Sequence, residues 1–178
     1  MLAKALRVVL LCVLLPLGAG AAQAAASVGV VLLHGKTGTP HQLDKLAAIL
    51  RDAGFAVATP EMCWSKQRIF DEAFADCLRD VDAAILKMRA DGATRIVVAG
   101  VSQGAMGAFA DATVNADIAG IGAMAPAGDP PDLSKSPKLA ASVKSAIARV
   151  NAGKGDVVTE FNDVITGDQK IGIKATPK

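Results

Sequence analysis

The sequence predicts an α/β protein, a doubly wound and mostly parallel sheet with helices on both faces, and three observations carry that expectation. Strand-like and helix-like segments alternate along residues 28–150. The strand-like segments are short, nearly unbroken apolar runs such as Val28 to Leu33 and Ile96-Val97-Val98, and glycines punctuate the junctions. Continuous apolar runs suit strands buried on both faces, and strands separated by helices are joined by crossovers that make neighbours parallel.

Each element has its own warrant. After the first strand comes a Gly-containing loop, residues 35–38, and then a helix with Thr39 as N-cap, Pro40 at N1 and Gln42 at N3, the residue types of a capping box. Leu43, Leu46, Ala47 and Leu50 keep one apolar face, and Gly54 ends the helix. A short strand, Phe55 to Ala58, runs into a loop over 59–68. Phe74, Leu78, Val81, Ile85 and Met88 then recur at helical spacing until Gly92. Arg95 to Ala99 is a strand, Gln103 to Thr113 a helix of small residues, Ile118 to Ala125 a strand, and 126–131 a loop containing Pro126, Pro130 and Pro131. Leu139, Val143, Ile147 and Val150 mark a further amphipathic helix. Val157 to Phe161 and Lys170 to Ala175 suit a hairpin around Thr166-Gly167-Asp168.

Of 178 residues, 52% are apolar and 20% charged, which excludes a disordered chain. The start has the three zones of a secretory signal: Lys4 and Arg7, the apolar run Val8 to Leu17, then small residues around Ala22-Gln23-Ala24. The apolar run is too short to span a bilayer core of about 30 Å, so a removable leader over 1–24 is favoured over a stable membrane span. Residues 25–178 then form a single exported domain, periplasmic or secreted. With Lys4 and Arg7 removed, 17 basic and 17 acidic residues remain. A balanced charge and 3% aromatic residues argue against a nucleic-acid binder. Outside the leader stand two cysteines, Cys63 and Cys77, either bridged, as export favours, or two half-buried thiols. Neither has a histidine beside it in sequence, so a catalytic thiol or a metal site has little support, and no metal or organic cofactor is implied.

In a doubly wound sheet the working groups gather beyond the carboxyl ends of the strands. There lies Gly100-Val101-Ser102-Gln103-Gly104, a G-x-S-x-G sequence between a predicted strand and a predicted helix. The bare pattern is weak; the strand-turn-helix setting makes it a candidate nucleophile elbow, a tight turn that pushes the serine hydroxyl outward. Upstream, Val30-Val31-Leu32-Leu33-His34-Gly35 ends a buried strand in His-Gly.

Taken together, these two motifs, in this order, resemble the α/β-hydrolase superfamily over about residues 28–129. The resemblance implies Ser102 as nucleophile and the backbone N–H groups of Lys36 and Gln103 as oxyanion donors. It implies a bracing role for His34, with Gly35, Gly100 and Gly104 shaping the site. It further implies an acyl-serine mechanism on a small-molecule ester, or less readily an amide. The Lys36 ammonium either holds an anionic part of a substrate or is a solvated loop lysine. Met62 and Trp64 either line the pocket or pack beneath the loop.

The sequence departs from the family pattern after the serine. A serine needs a base, which the family supplies as a histidine late in the chain, and both histidines here, His34 and His41, precede Ser102. Asp129 lies at the correct sheet edge for an acid, or it caps a turn. Three accounts follow: a shortened hydrolase without its final acid and histidine, and therefore impaired; His41 as an unconventional base; or a non-catalytic ligand-binding or scaffolding module of the cell envelope.

Overall fold

The computed structural model describes residues 27–127, 135, 137, 139–164 and 170–175. In chain order it contains β1 (Val28–Leu33), a 3-10 turn (Pro40–Leu43), α1 (Asp44–Asp52), β2 (Ala56–Ala58), α2 (Phe74–Ala90), β3 (Arg95–Val101) and α3 (Gln103–Val114). There follow β4 (Gly120–Met124), α4 (Ala140–Asn151), β5 (Thr159–Val164) and β6 (Lys170–Ala175). The expected leader, and Asp129 with its loop from residue 128 onward, lie outside the described residues.

β1 to β4 form one sheet in the order β2-β1-β3-β4, every neighbour parallel. Its apolar strands bury two opposite faces. Val31, Leu33, Ile96 and Val98 point to the side covered by Val81, Ile85 and Met88 of α2 and Ala108 of α3. Val30, Leu32 and Ala99 point to the other side, beneath Ala47, Leu43, Leu46 and Leu50 of α1 and the turn before it. Period-2 alternation along strands that are apolar on both faces produces this sharing. Helices therefore cover both faces, as expected. Each fully buried aliphatic side chain in such a layer contributes about 1.5–3 kcal/mol relative to exposure.

The strand order has a consequence for function. From β1 the chain moves outward one way to β2, and from β3 it moves the other way to β4, so the winding reverses between the carboxyl ends of β1 and β3. An open parallel sheet leaves a crevice at such a switch point, because the two following segments turn apart. Here those segments are residues 34–38 and the turn at Ser102.

Three local expectations are corrected. β3 continues through Gly100 and Val101, pairing as far as Val101 with Met124, so the strand runs to the residue before the serine. The residues after Thr39 start as a 3-10 turn, and Thr39 makes no side-chain cap. The expected capping box is absent because the Gln42 side chain reaches back to Gly35 instead, accepting its N–H at 2.7 Å. β5 and β6 pair antiparallel with Thr159 opposite Ala175, β5 beginning two residues later than the apolar pattern suggested, and the expected turn around Thr166-Gly167-Asp168 lies outside the described residues.

Candidate active site

Ser102 separates β3 from α3 with φ 54° and ψ −115°, a conformation that costs an L-residue roughly 1–3 kcal/mol unless its surroundings enforce it. Both sides of the residue are anchored. Its N–H donates to Met124 O at the end of β4 (3.0 Å), and its carbonyl accepts the first α3 bond from Ala105 N (3.0 Å). The flanking glycines are there for space: a Cβ on Gly100 would overlap the Gly104 backbone, and one on Gly104 would overlap the carbonyls of Leu33 and His34. The same crowding brings the first turn of α3 against the end of β1. Ser102 is half-buried at that junction. The adjoining Gln103 N–H belongs to the first turn of α3, whose amides a helix cannot satisfy internally.

Across the crevice, His34 is 1% exposed. Its Nδ1–H donates to Gly35 O at 2.9 Å and its Nε2 accepts the Met62 N–H at 3.2 Å, which assigns the tautomer. Burial is the main cause that holds its pKa below the ordinary 6.5; the Gly35 bond and the Glu61 charge oppose it. With both nitrogens engaged and the ring neutral, His34 has no lone pair to spare as a base. It does orient a peptide. Gly35 O accepts from His34 Nδ1 and from Gly38 N (3.0 Å), and because the amide unit is planar and trans, its N–H, that of Lys36, is aimed the opposite way.

The buried segment around Trp64 backs this loop. Trp64 Nε1 donates to His34 O (2.9 Å), Trp64 O accepts Thr37 N (2.8 Å), and Lys66 N donates to Gly38 O (2.9 Å). Met62 and Trp64 are both 0% exposed, so of the two roles left open for them the structure shows packing beneath the loop. The indole lies under α3 against Gly107 and stacks on Phe74 with centroids 5.7 Å apart. An apolar ring with one buried donor is more stable there than at a wet wall. Cys63 and Cys77 are bridged, Cα atoms 5.6 Å apart, tying this segment to the first turn of α2.

Arg68, which the sequence reading missed, is the hub of the same segment. It pairs with Asp71 (2.9 Å), Glu72 (2.5 Å) and Asp80 (2.5 Å) and donates to Glu61 O (3.1 Å). The bonds to Asp71, Asp80 and Glu72 raise its pKa against a smaller opposing effect of burial. Its signal in sequence was the set of carboxylates at 71, 72 and 80 around one arginine.

His41 sits on the 3-10 turn with an 85% exposed side chain, 3.1 Å from Asp44 Oδ2. Among the described residues no group of three or more His, Cys, Asp or Glu is arranged to hold a metal ion. None of their helices is long and apolar enough to cross a membrane.

Comparison with solved structures matches this arrangement of strands and helices to lipolytic enzymes. One match, from work on the metagenome-derived lipolytic enzymes LipS and LipT, is 26% identical, covers 66% of this chain and 48% of that one, and has a TM-score of 0.55. The chain has the α/β-hydrolase fold. A second match, a monoacylglycerol lipase of Paleococcus ferrophilus, is 24% identical over 75% of this chain and 49% of that one, TM-score 0.56. The chain thus spans about half the length of these structures. No protein-family model matches it, and no curated protein does. Within the α/β-hydrolase fold, β1 with residues 34–38 and β3 with Ser102 form the two banks of the crevice.

Proposed function

We propose that the chain carries the nucleophile and oxyanion half of a serine hydrolase acting on carboxylic esters. The observation that carries the proposal is Ser102 in a positive-φ turn at the switch point, where the first turn of α3 meets the end of β1 and a loop whose Gly35–Lys36 peptide is oriented by His34. The lipolytic activity of the matched structures supports the substrate class. Ser102 Oγ bonds to the ester carbonyl carbon, its proton passes to a general base, and the carbonyl oxygen takes up negative charge between the N–H groups of Lys36 and Gln103. Collapse expels the alcohol and leaves an acyl-serine, which water then cleaves. Two fixed donors are worth several kcal/mol of barrier because they need no reorganisation as the charge develops. His41 is the histidine available as base in these residues. Its exposure leaves it solvated, so turnover by these residues is expected to be slow, with the residual rate that an oxyanion hole alone sustains. In this reading residues 1–24 are a leader, 25–178 one exported domain, and Asp129 a candidate acid.

A second reading, a ligand-binding module, is favoured by one observation: both nitrogens of His34 are engaged in holding the loop. Labelling with a fluorophosphonate separates the two. Covalent labelling of the folded chain that disappears in Ser102→Ala supports the hydrolase. A folded chain that never labels, yet binds an ester analogue reversibly, sinks it in favour of the module.

A further inference from the structure

We propose that Gln42 is a positioning residue of the oxyanion loop, holding the Gly35–Lys36 segment from the exposed side while the buried Trp64 holds its flanks, His34 and Thr37, from the interior. The inference rests on the reading of the Lys36 N–H as an oxyanion donor. Gly35 is buried, so its N–H needs a partner, and Gln42 Oε1 supplies it at 2.7 Å. No main-chain acceptor is used there, although the neighbouring Thr37 and Gly38 amides both have one.

The loop is shaped around this carboxamide. A Cβ on Gly38 would lie 2.6 Å from Gln42 Oε1 and 2.9 Å from Gly35 O, and one on Gly35 would lie 3.4 Å from the same Oε1. Glycine at 38 therefore leaves room for a side chain from the next element. Thr37, with φ 55°, completes the turn that carries the chain around it. Gln42 is held in turn, its own N–H donating to Thr39 O (3.0 Å) in the 3-10 turn that Pro40 opens. Two successive peptide planes, His34–Gly35 and Gly35–Lys36, are thus fixed by separate side chains, Gln42 through an N–H and His34 through a carbonyl. A donor displaced by about 1 Å can cost on the order of a hundredfold in rate, so a second restraint on this segment has a catalytic use.

The test compares the full chain with Gln42→Met, which keeps size and loses the acceptor, and Gln42→Glu, which keeps the acceptor. Amide hydrogen exchange is read at Gly35, with Leu32 in β1 as an internal control, beside the rate of fluorophosphonate labelling at Ser102. We expect Gln42→Met to accelerate exchange at Gly35, whose N–H loses its acceptor, by roughly tenfold or more, leaving Leu32 unchanged, and to slow labelling about ten- to a hundredfold. Gln42→Glu keeps Gly35 protected. Gly38→Ala, which crowds the carboxamide without altering it, reproduces the exchange signature and serves if Gln42→Met does not fold. Unchanged exchange at Gly35 in both Gln42→Met and Gly38→Ala overturns the inference, as does unchanged labelling in a Gln42→Met chain whose exchange has risen. If the unsubstituted chain does not label at all, the hydrolase reading falls and the positioning claim is decided by exchange alone.

Discussion

α2 and α4 are both amphipathic in sequence, and the structure treats them differently. Along α2, Cys77, Leu78, Val81, Ile85 and Met88 are buried against the parallel sheet. Along α4 no residue is buried, and Ile147 and Val150 are 56% and 42% exposed. Among the described residues its contacts are chiefly with β5, whose Asn162 N–H donates to Ser142 Oγ at 2.9 Å. Helical spacing of apolar residues reports that a face exists; only the layer opposite decides whether burial stabilises it. The sharpest test uses one residue type in one secondary structure. Ile85→Ala, at a site 5% exposed, is expected to cost about 2–5 kcal/mol in denaturant unfolding, whereas Ile147→Ala should stay within roughly 0.5 kcal/mol. Equal losses at the two sites would mean that α4 is covered in solution.

The bridged segment tests the same contrast by another route. Cys63 and Cys77 are both fully buried and close a short loop, so replacing them together by alanine should cost about 3 kcal/mol in the chain-entropy model. The loss should come with faster amide exchange at Met62 and Trp64, which brace His34, while exchange in β5 stays as it was. A loss of stability without that local change would show that the bridge acts on the unfolded chain alone.

How far the site could be read from sequence follows from the range of the interactions. The strands, α2 and the G-x-S-x-G turn were legible because periodicity and glycine spacing are local properties. Gln42 was misassigned for the same reason: at N3 of a helix its local partner is the cap, and nothing nearby in sequence says that a buried Gly35 N–H seven residues upstream competes for it. Trp64 was left undecided between pocket wall and packing, since its choice depends on Gly107 and Phe74, brought to it only by the crossovers. The strand order that sets the crevice between β1 and β3 is likewise a long-range fact. The pairing of β5 with β6 was legible from the two strand-like runs, with its start displaced because Val157 and Val158 are exposed and unpaired with β6.

The smallest expected effect is a pH dependence confined to the sheet half. His34 has a lowered pKa, chiefly from burial. As pH falls below 6.5 the unfolded chain takes up a proton that the folded chain refuses, so stability declines until the folded value is reached. Asp111, fully buried in α3, has a raised pKa, again chiefly from burial; the Asn115 bond opposes the rise and the Asp82 charge adds to it. Its Oδ1 accepts from Asn115 Nδ2 at 3.0 Å, and its Oδ2 has no partner among the described residues. Here the folded chain binds the proton more tightly, so the associated stability is present below pH 3.8 and is lost as pH rises through the folded value. The two groups oppose each other on acidification, and Asp111→Asn removes one of them. That variant is expected to be more stable than the unsubstituted chain at pH 7, on the order of 1 kcal/mol, because an amide costs less to bury than a carboxylate. Its advantage should shrink steadily towards pH 4 in unfolding curves taken at half-unit steps. An advantage that stays constant with pH would mean that the Asp111 carboxyl is not held above its ordinary value, and that the interior at the last turn of α3 is wetter than its burial implies.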